Sequence, residues 1–146
     1  MEAPAPQPVA RVAITAAAEA VLRQRVAQHG PLLFHQSGGC CDGSAPMCYP
    51  RGEFRIGERD VLLGEIAGTP FYIGAQQYEA WRHTQLLVDV VPGRGSGFSA
   101  EAPLGVRFLT RSRVFDPAEQ AWLEACPPPR GPQPAAGVPG RQQPFG

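Results

Sequence analysis

Three of the chain's four cysteines, Cys40, Cys41 and Cys48, fall within nine residues of one another. They sit in the stretch His-Gln-Ser-Gly-Gly-Cys-Cys-Asp-Gly-Ser-Ala-Pro-Met-Cys, from His35 to Cys48. Thiols, an imidazole and the carboxylate of Asp42 in one segment point to metal binding or to thiolate chemistry. Gly38 and Gly39 precede the first thiol and Gly43 follows the second. Glycine supplies backbone angles that other residues avoid, so a tight, non-helical loop is expected here.

For a metal, Cys40, Cys41 and Cys48 supply three thiolates, and His35 or Asp42 a fourth ligand. Soft sulfur with one nitrogen suits Zn(II), Cu(I) or iron. The spacing is not that of a zinc knuckle, because six residues separate Cys41 from Cys48 where two are usual. Adjacent cysteines also point apart in extended backbone, which a turn at Gly39 or Gly43 would relieve. For redox chemistry, a Cys40–Cys41 disulfide would be strained and readily reduced, and Cys41 with Cys48 is a less strained pair. Asp42 would raise the thiol pKa beside it, and Arg51 or His35 could offset that. Against both stands the plain alternative that free cysteines pack as small apolar residues. Three of them in a polar glycine loop fit that poorly. His35 has its own plain alternative, a hydrogen-bonded or surface histidine. Cys126 ends a short helix, apart from the cluster.

The elements that must position this loop are legible from local signals. Thr15 caps a helix that Gly30-Pro31 ends, with Ala18, Val21, Leu22 and Val26 at helical spacing and Arg23, Gln24 and Gln28 outward. Leu32 to Gln36 reads as a strand entering the loop, and Met47 to Arg51 as a short strand leaving it. Val61 to Ile66 and Thr69 to Ile73 flank Ala67-Gly68, a hairpin signal. Ala75 to Arg82 forms a short helix, with Tyr78 and Trp81 on one face. Leu86 to Val91 is the most apolar strand, expected to be buried on both sides except at Asp89. Val106 to Leu109 is a last strand. Asp116-Pro117-Ala118-Glu119 is a capping box, so a short helix carries Trp122 and Leu123.

This order of elements predicts an α+β domain over residues 11–125, with helices on one face of a mixed sheet. Residues 1–10 and the Pro/Gly-rich residues 126–146 are expected to be disordered tails. Net formal charge is zero, which argues against a basic nucleic-acid surface. No apolar run approaches a membrane span, and Met1 to Val9 lacks the features of a secretory signal. The cytosol is therefore the expected compartment, where thiols stay reduced.

Other candidates carry less. Glu65 reads as a solvent-facing strand residue, Tyr78 and Trp81 as core cover, and His83 as a histidine favoured by a helix C-terminus. Gly93 to Gly97 has a Gly-x-Gly rhythm without the strand and long helix of a nucleotide site. Ser37 and Ser44 have no assignable His-Asp partners, so the residues do not themselves argue for an enzyme.

The His35 to Cys48 stretch, with Gly95-Ser96-Gly97-Phe98-Ser99 downstream, resembles the bacterial domain of unknown function 779 family. The resemblance covers about Val12 to Glu124. Members of that family are often encoded beside NAD-dependent aldehyde dehydrogenases, which implies such an enzyme as a partner. More distantly, the layout is similar to the HesB-like A-type iron–sulfur carriers. Thr15 to Ala18 matches their opening helix, Gly38-Gly39-Cys40 their Gly-Gly-Cys loop, and Gly95 to Phe98 with Pro103 their later glycine segment. That similarity implies a HesB-like core, an iron–sulfur cluster or metal, and self-association as a homodimer. The carriers complete their site with a Cys-x-Cys pair, where this chain has Leu104 to Leu109 and no cysteine. Any site must therefore be rebuilt around the one loop. The expectation is an accessory protein with a metal- or cluster-binding loop of Cys40, Cys41, Cys48 and His35, supporting an aldehyde dehydrogenase. The alternative is a small thiol enzyme acting through Cys40 or Cys41 on a carbonyl or sulfur species.

Overall fold

Thr15 separates a short strand from the first helix, and its hydroxyl does two jobs. It accepts the Ala18 N–H at 3.1 Å, capping the helix, and donates to Asp89 Oδ1 at 3.0 Å. The structure, a computed structural model, describes residues 9–36, 45–51, 55–93 and 99–131. The elements, in chain order, are β1 (Val12–Ile14), α1 (Ala16–His29), β2 (Leu32–Gln36), β3 (Met47–Pro50), β4 (Val61–Ile66) and β5 (Thr69–Ile73). Then come α2 (Ala75–Trp81), β6 (Thr84–Pro92), a 3-10 turn (Ala102–Leu104), β7 (Val106–Val114) and α3 (Pro117–Ala125).

The α+β class holds, and the single sheet does not. The strands form two mixed sheets, ordered β1-β6-β7 and β3-β2-β5-β4. Each contains one parallel pair, β1 with β6 and β2 with β5. The unforeseen strand β1 makes the first parallel pair. Three residues are too few for a local pattern to reveal, and they are held by long-range pairing with Leu86 to Val88.

The core lies between the sheets. Phe34 of β2 stacks on Phe71 of β5 at 5.5 Å and meets Phe108 of β7 edge-on at 5.1 Å. That trio carries the contact from one sheet to the other. Val12, Ile14, Leu86 and Val88 complete the core from the three-stranded side, and Cys48 and Ile73 from the other. In β6, Leu86 and Val88 are buried whereas Leu87, Asp89 and Val91 are half-buried, so burial is one-faced rather than two-faced. By contrast β2 and β5 are buried at every position. That requires cover on both faces of the four-stranded sheet.

The local signals are realised closely. In the β4–β5 hairpin, Ala67 and Gly68 both take positive φ, 49° and 76°. The α3 capping box forms in full, with Asp116 and Glu119 exchanging hydrogen bonds. One residue breaks the pattern of α1. Arg25 shares the buried face with Ala18 and Leu22. Its guanidinium lies 3.2 Å from His29 Nε2 and donates to Gln28 Oε1. The chain also stays in the fold beyond Cys126. Arg130 bridges to Val61, and the Leu62 N–H donates to the Pro129 carbonyl at 2.9 Å. The backbone groups of β4's outer edge account for this, since they need partners. Of the tails expected at 1–10 and 126–146, residues 1–8 and 132–146 lie outside the described residues.

Two surface carboxylates set the acid behaviour. Partial burial works to raise the Asp89 carboxyl. Hydrogen bonds from Arg111, the Val90 N–H and Thr15 outweigh it, so the net shift is downward. The hydrogen bond from Arg113, then that from the Asp116 N–H, lowers Glu119. A folded pKa below the unfolded one gives stability that is present above the ordinary carboxylate range and lost as pH falls through the folded value. Thermal stability should therefore fall below about pH 4. Asp89→Asn should lower stability at neutral pH and make the acid decline shallower, as read by melting at stepped pH.

Candidate functional site

A strand's alternation decides where each predicted site residue points. Phe34 faces the core, so the next residue, His35, lies on the opposite face of the sheet. His35 is paired with Met47 in β3 and Tyr72 in β5. It is only 5% exposed. Its Nε2 lies 2.9 Å from Asp60 Oδ1. Asp60 is itself pinned. Its Oδ2 accepts the Gly57 N–H at 2.8 Å, its N–H donates to the Gly57 carbonyl, and its carbonyl accepts the Gly131 N–H at 2.8 Å. An ionised carboxylate only accepts, so Nε2 is the edge of the ring that donates to Asp60. This is the arrangement that orients a histidine for metal ligation or for taking a proton from a thiol.

Gln36 follows His35 and ends β2, and its carbonyl accepts the Gly74 N–H at 3.2 Å. The next residues, 37–44, hold Cys40, Cys41 and Asp42 and lie outside the described residues. So do Gly95 to Phe98. His35 is thus attached to the start of the cysteine segment by a single residue.

Cys48 is placed elsewhere. It sits directly opposite Phe34 in β3, and opposed residues share a face. Its side chain is fully buried in the core. His35 and Cys48 therefore occupy opposite faces of one sheet and do not converge. Burial, and secondarily the charge of Glu101, push the Cys48 thiol far above the usual range. Cys126 is an exposed free thiol at the end of α3, and its carbonyl accepts from Arg11. Among the described residues no three His, Cys, Asp or Glu side chains form a metal-sized group.

Arg51 is not at the loop either. Its Nε donates to the Leu32 carbonyl at 3.2 Å, at the far end of β2 from the cysteine segment. His83 is on the surface with its Nδ1 3.2 Å from Gln120 Nε2, Trp81 is buried, and Glu65 and Tyr78 are half-buried.

Two carboxylates matter that the residue pattern does not single out. Asp60 stands in Gly57-Glu58-Arg59-Asp60, a polar run that reads as a turn. Only its position just before the apolar β4 hints at a buried role. Glu101 is 1% exposed. It accepts the Ser99 hydroxyl at one oxygen and the Phe108 N–H at the other, 3.0 Å away. Ser99 in turn accepts the Cys48 N–H at 3.0 Å, and the Ala100 N–H donates to the Cys48 carbonyl at 2.9 Å. This node ties β3 to β7 across the core. No spacing marks it in the sequence, because each member serves a different element.

These features define a small α+β protein with an aspartate-held histidine one residue before a glycine-rich cysteine segment. The family model "Domain of unknown function (DUF779)" matches residues 21–114, and the chain belongs to that family. Neither the curated proteins nor the solved structures contain a significant match to it. Among the described residues, no helix is long and apolar enough to cross a membrane.

The placement of Cys48 has a direct chemical consequence. Under native conditions Cys48 should resist iodoacetamide over the whole neutral range and react only after denaturation, whereas Cys126 should label readily. Mass mapping of alkylated peptides checks both. Rapid native labelling of Cys48 would mean that its thiol is not enclosed as described.

Proposed function

We propose that the protein is an accessory factor that holds a soft transition-metal ion or an iron–sulfur cluster at the end of β2. His35, Cys40 and Cys41 are its ligands. The observation that carries this reading is the contact of the buried His35 with the half-buried Asp60. A metal-binding histidine characteristically gives its other ring nitrogen to a carboxylate, which fixes the ring and raises its basicity. One imidazole with two thiolates is a donor set for Zn(II), Cu(I) or iron. Cys48 is left out of this set and packs the core. The cytosol, with its reduced thiols, is the compartment this reading requires. Family membership supports an NAD-dependent aldehyde dehydrogenase as the partner served, and self-association as a dimer belongs to the same proposal.

The test is the metal and acid-labile sulfide content of anaerobically purified protein. Near-stoichiometric metal is expected, lost in Cys40→Ser, Cys41→Ser and His35→Ala and kept in Cys48→Ala. Asp60→Asn should weaken metal affinity roughly 10- to 100-fold. No metal, with Cys40 and Cys41 titratable, would overturn the proposal.

The same pair favours one second reading. A histidine held by an aspartate beside a cysteine segment is also the base and orienting group of a thiol nucleophile. In that case the metal-free protein would show one thiol, Cys40 or Cys41, alkylated much faster than the rest, and His35→Ala would abolish the difference.

A further inference from the structure

The residues that follow α3 reach the candidate site from a distant part of the chain. Arg11, just before β1, donates to the Leu123 and Cys126 carbonyls and ties down the end of α3. Pro127, Pro128 and Pro129 come next. Proline fixes its own φ and has no N–H to satisfy, so this span costs little entropy to order. The chain then meets the outer edge of β4. The Leu62 N–H donates to the Pro129 carbonyl at 2.9 Å, Arg130 forms an antiparallel bridge with Val61, and the Gly131 N–H donates to the Asp60 carbonyl at 2.8 Å.

The last of these bonds falls on the residue that orients His35. Asp60 has local support from Gly57, whose N–H donates to Oδ2 and whose carbonyl accepts the Asp60 N–H at 3.1 Å. Both of those bonds lie within one turn and move with it. The bond from Gly131 holds the Asp60–Val61 peptide plane from outside the turn. Rotation of that plane would carry the carboxylate away from His35 Nε2, now 2.9 Å from Oδ1. Gly131 itself takes φ 79°. A Cβ there would stand 3.6 Å from the Glu58 Cα and 3.7 Å from its carbonyl oxygen, which is ordinary contact. Glycine is therefore needed for the angle and not for the space, and asparagine is the residue with a side chain best able to replace it.

We propose that Gly131 is a positioning residue for His35. Its N–H, brought to β4 by the segment after α3, holds Asp60 where the carboxylate can fix the imidazole. The effect on the ring is independent of any metal, and the effect on metal affinity rests on the metal reading above.

The experiment follows hydrogen exchange of the His35 Nε2–H by NMR in the metal-free full chain. In the native chain, as denaturant is raised, this proton should lose protection together with the Gly131 amide and before the amides of β2. Gly131→Pro removes the N–H and cannot take the angle, so it should speed exchange of the His35 proton on the order of ten-fold. Gly131→Asn keeps the N–H and should stay within about two-fold of native. Gly131→Pro should also lower metal affinity roughly 10-fold. A His35 proton still protected after the Gly131 amide has exchanged, unchanged exchange in Gly131→Pro, or equal loss in Gly131→Asn would each overturn the proposal. The expected exchange results with no metal bound by any version would support the positioning role and overturn the metal reading alone.

Discussion

The alternation of a single strand, β2, sets both the core and the candidate site. Phe34 must point inward, because it joins the two sheets through Phe71 and Phe108. The period of two then sends His35 to the other face. A slip of one residue would drive an imidazole into the apolar core and leave the Phe34 ring outside it. The aromatic contact therefore fixes the register that brings His35 to Asp60. Stability and site geometry depend on the same pairing.

Burial on that outer face gives the pair its chemical character. A solvent-exposed His-Asp contact would be loose and screened. Here the ring is enclosed, and the carboxylate is held by the backbone of Gly57 at one oxygen. The Asp60 carbonyl is fastened in turn by Gly131, from the segment that runs along β4. The other buried polar groups serve the frame. Glu101 satisfies Ser99 and the Phe108 N–H between the sheets. Removing such a buried acceptor leaves donors unsatisfied, at about 1–3 kcal/mol each. Arg25, 4% exposed, has Gln28 and His29 as its side-chain neighbours among the described residues.

Local signals in the chain proved informative, and those needing a distant partner did not. Thr15, Gly30, Ala67-Gly68 and the Asp116 to Glu119 box each act within a few residues, and each produces the element it implies. Strand β1 exists only through pairing with β6, and the division into two sheets is likewise long-range. Arg25 reads as an outward residue by type, yet helical spacing from Ala18 and Leu22 puts it on the buried face. The same contrast governs the candidate site. Cys48 groups with Cys40 and Cys41 by distance along the chain. Pairing with Phe34 separates it from His35 by the thickness of a sheet. Asp60 was hidden for the opposite reason, since twenty-five positions of chain separate two side chains in hydrogen-bond contact.

The central claim is that the Asp60-held His35 and the neighbouring thiols take one metal centre. X-ray absorption of the metal-loaded protein tests it most directly, comparing the native chain with His35→Ala and Cys48→Ala. The account predicts sulfur and imidazole nitrogen bound to the metal in the native chain and in Cys48→Ala. It predicts loss of the imidazole signal in His35→Ala. A metal bound without sulfur, or an imidazole signal unchanged in His35→Ala, would contradict it.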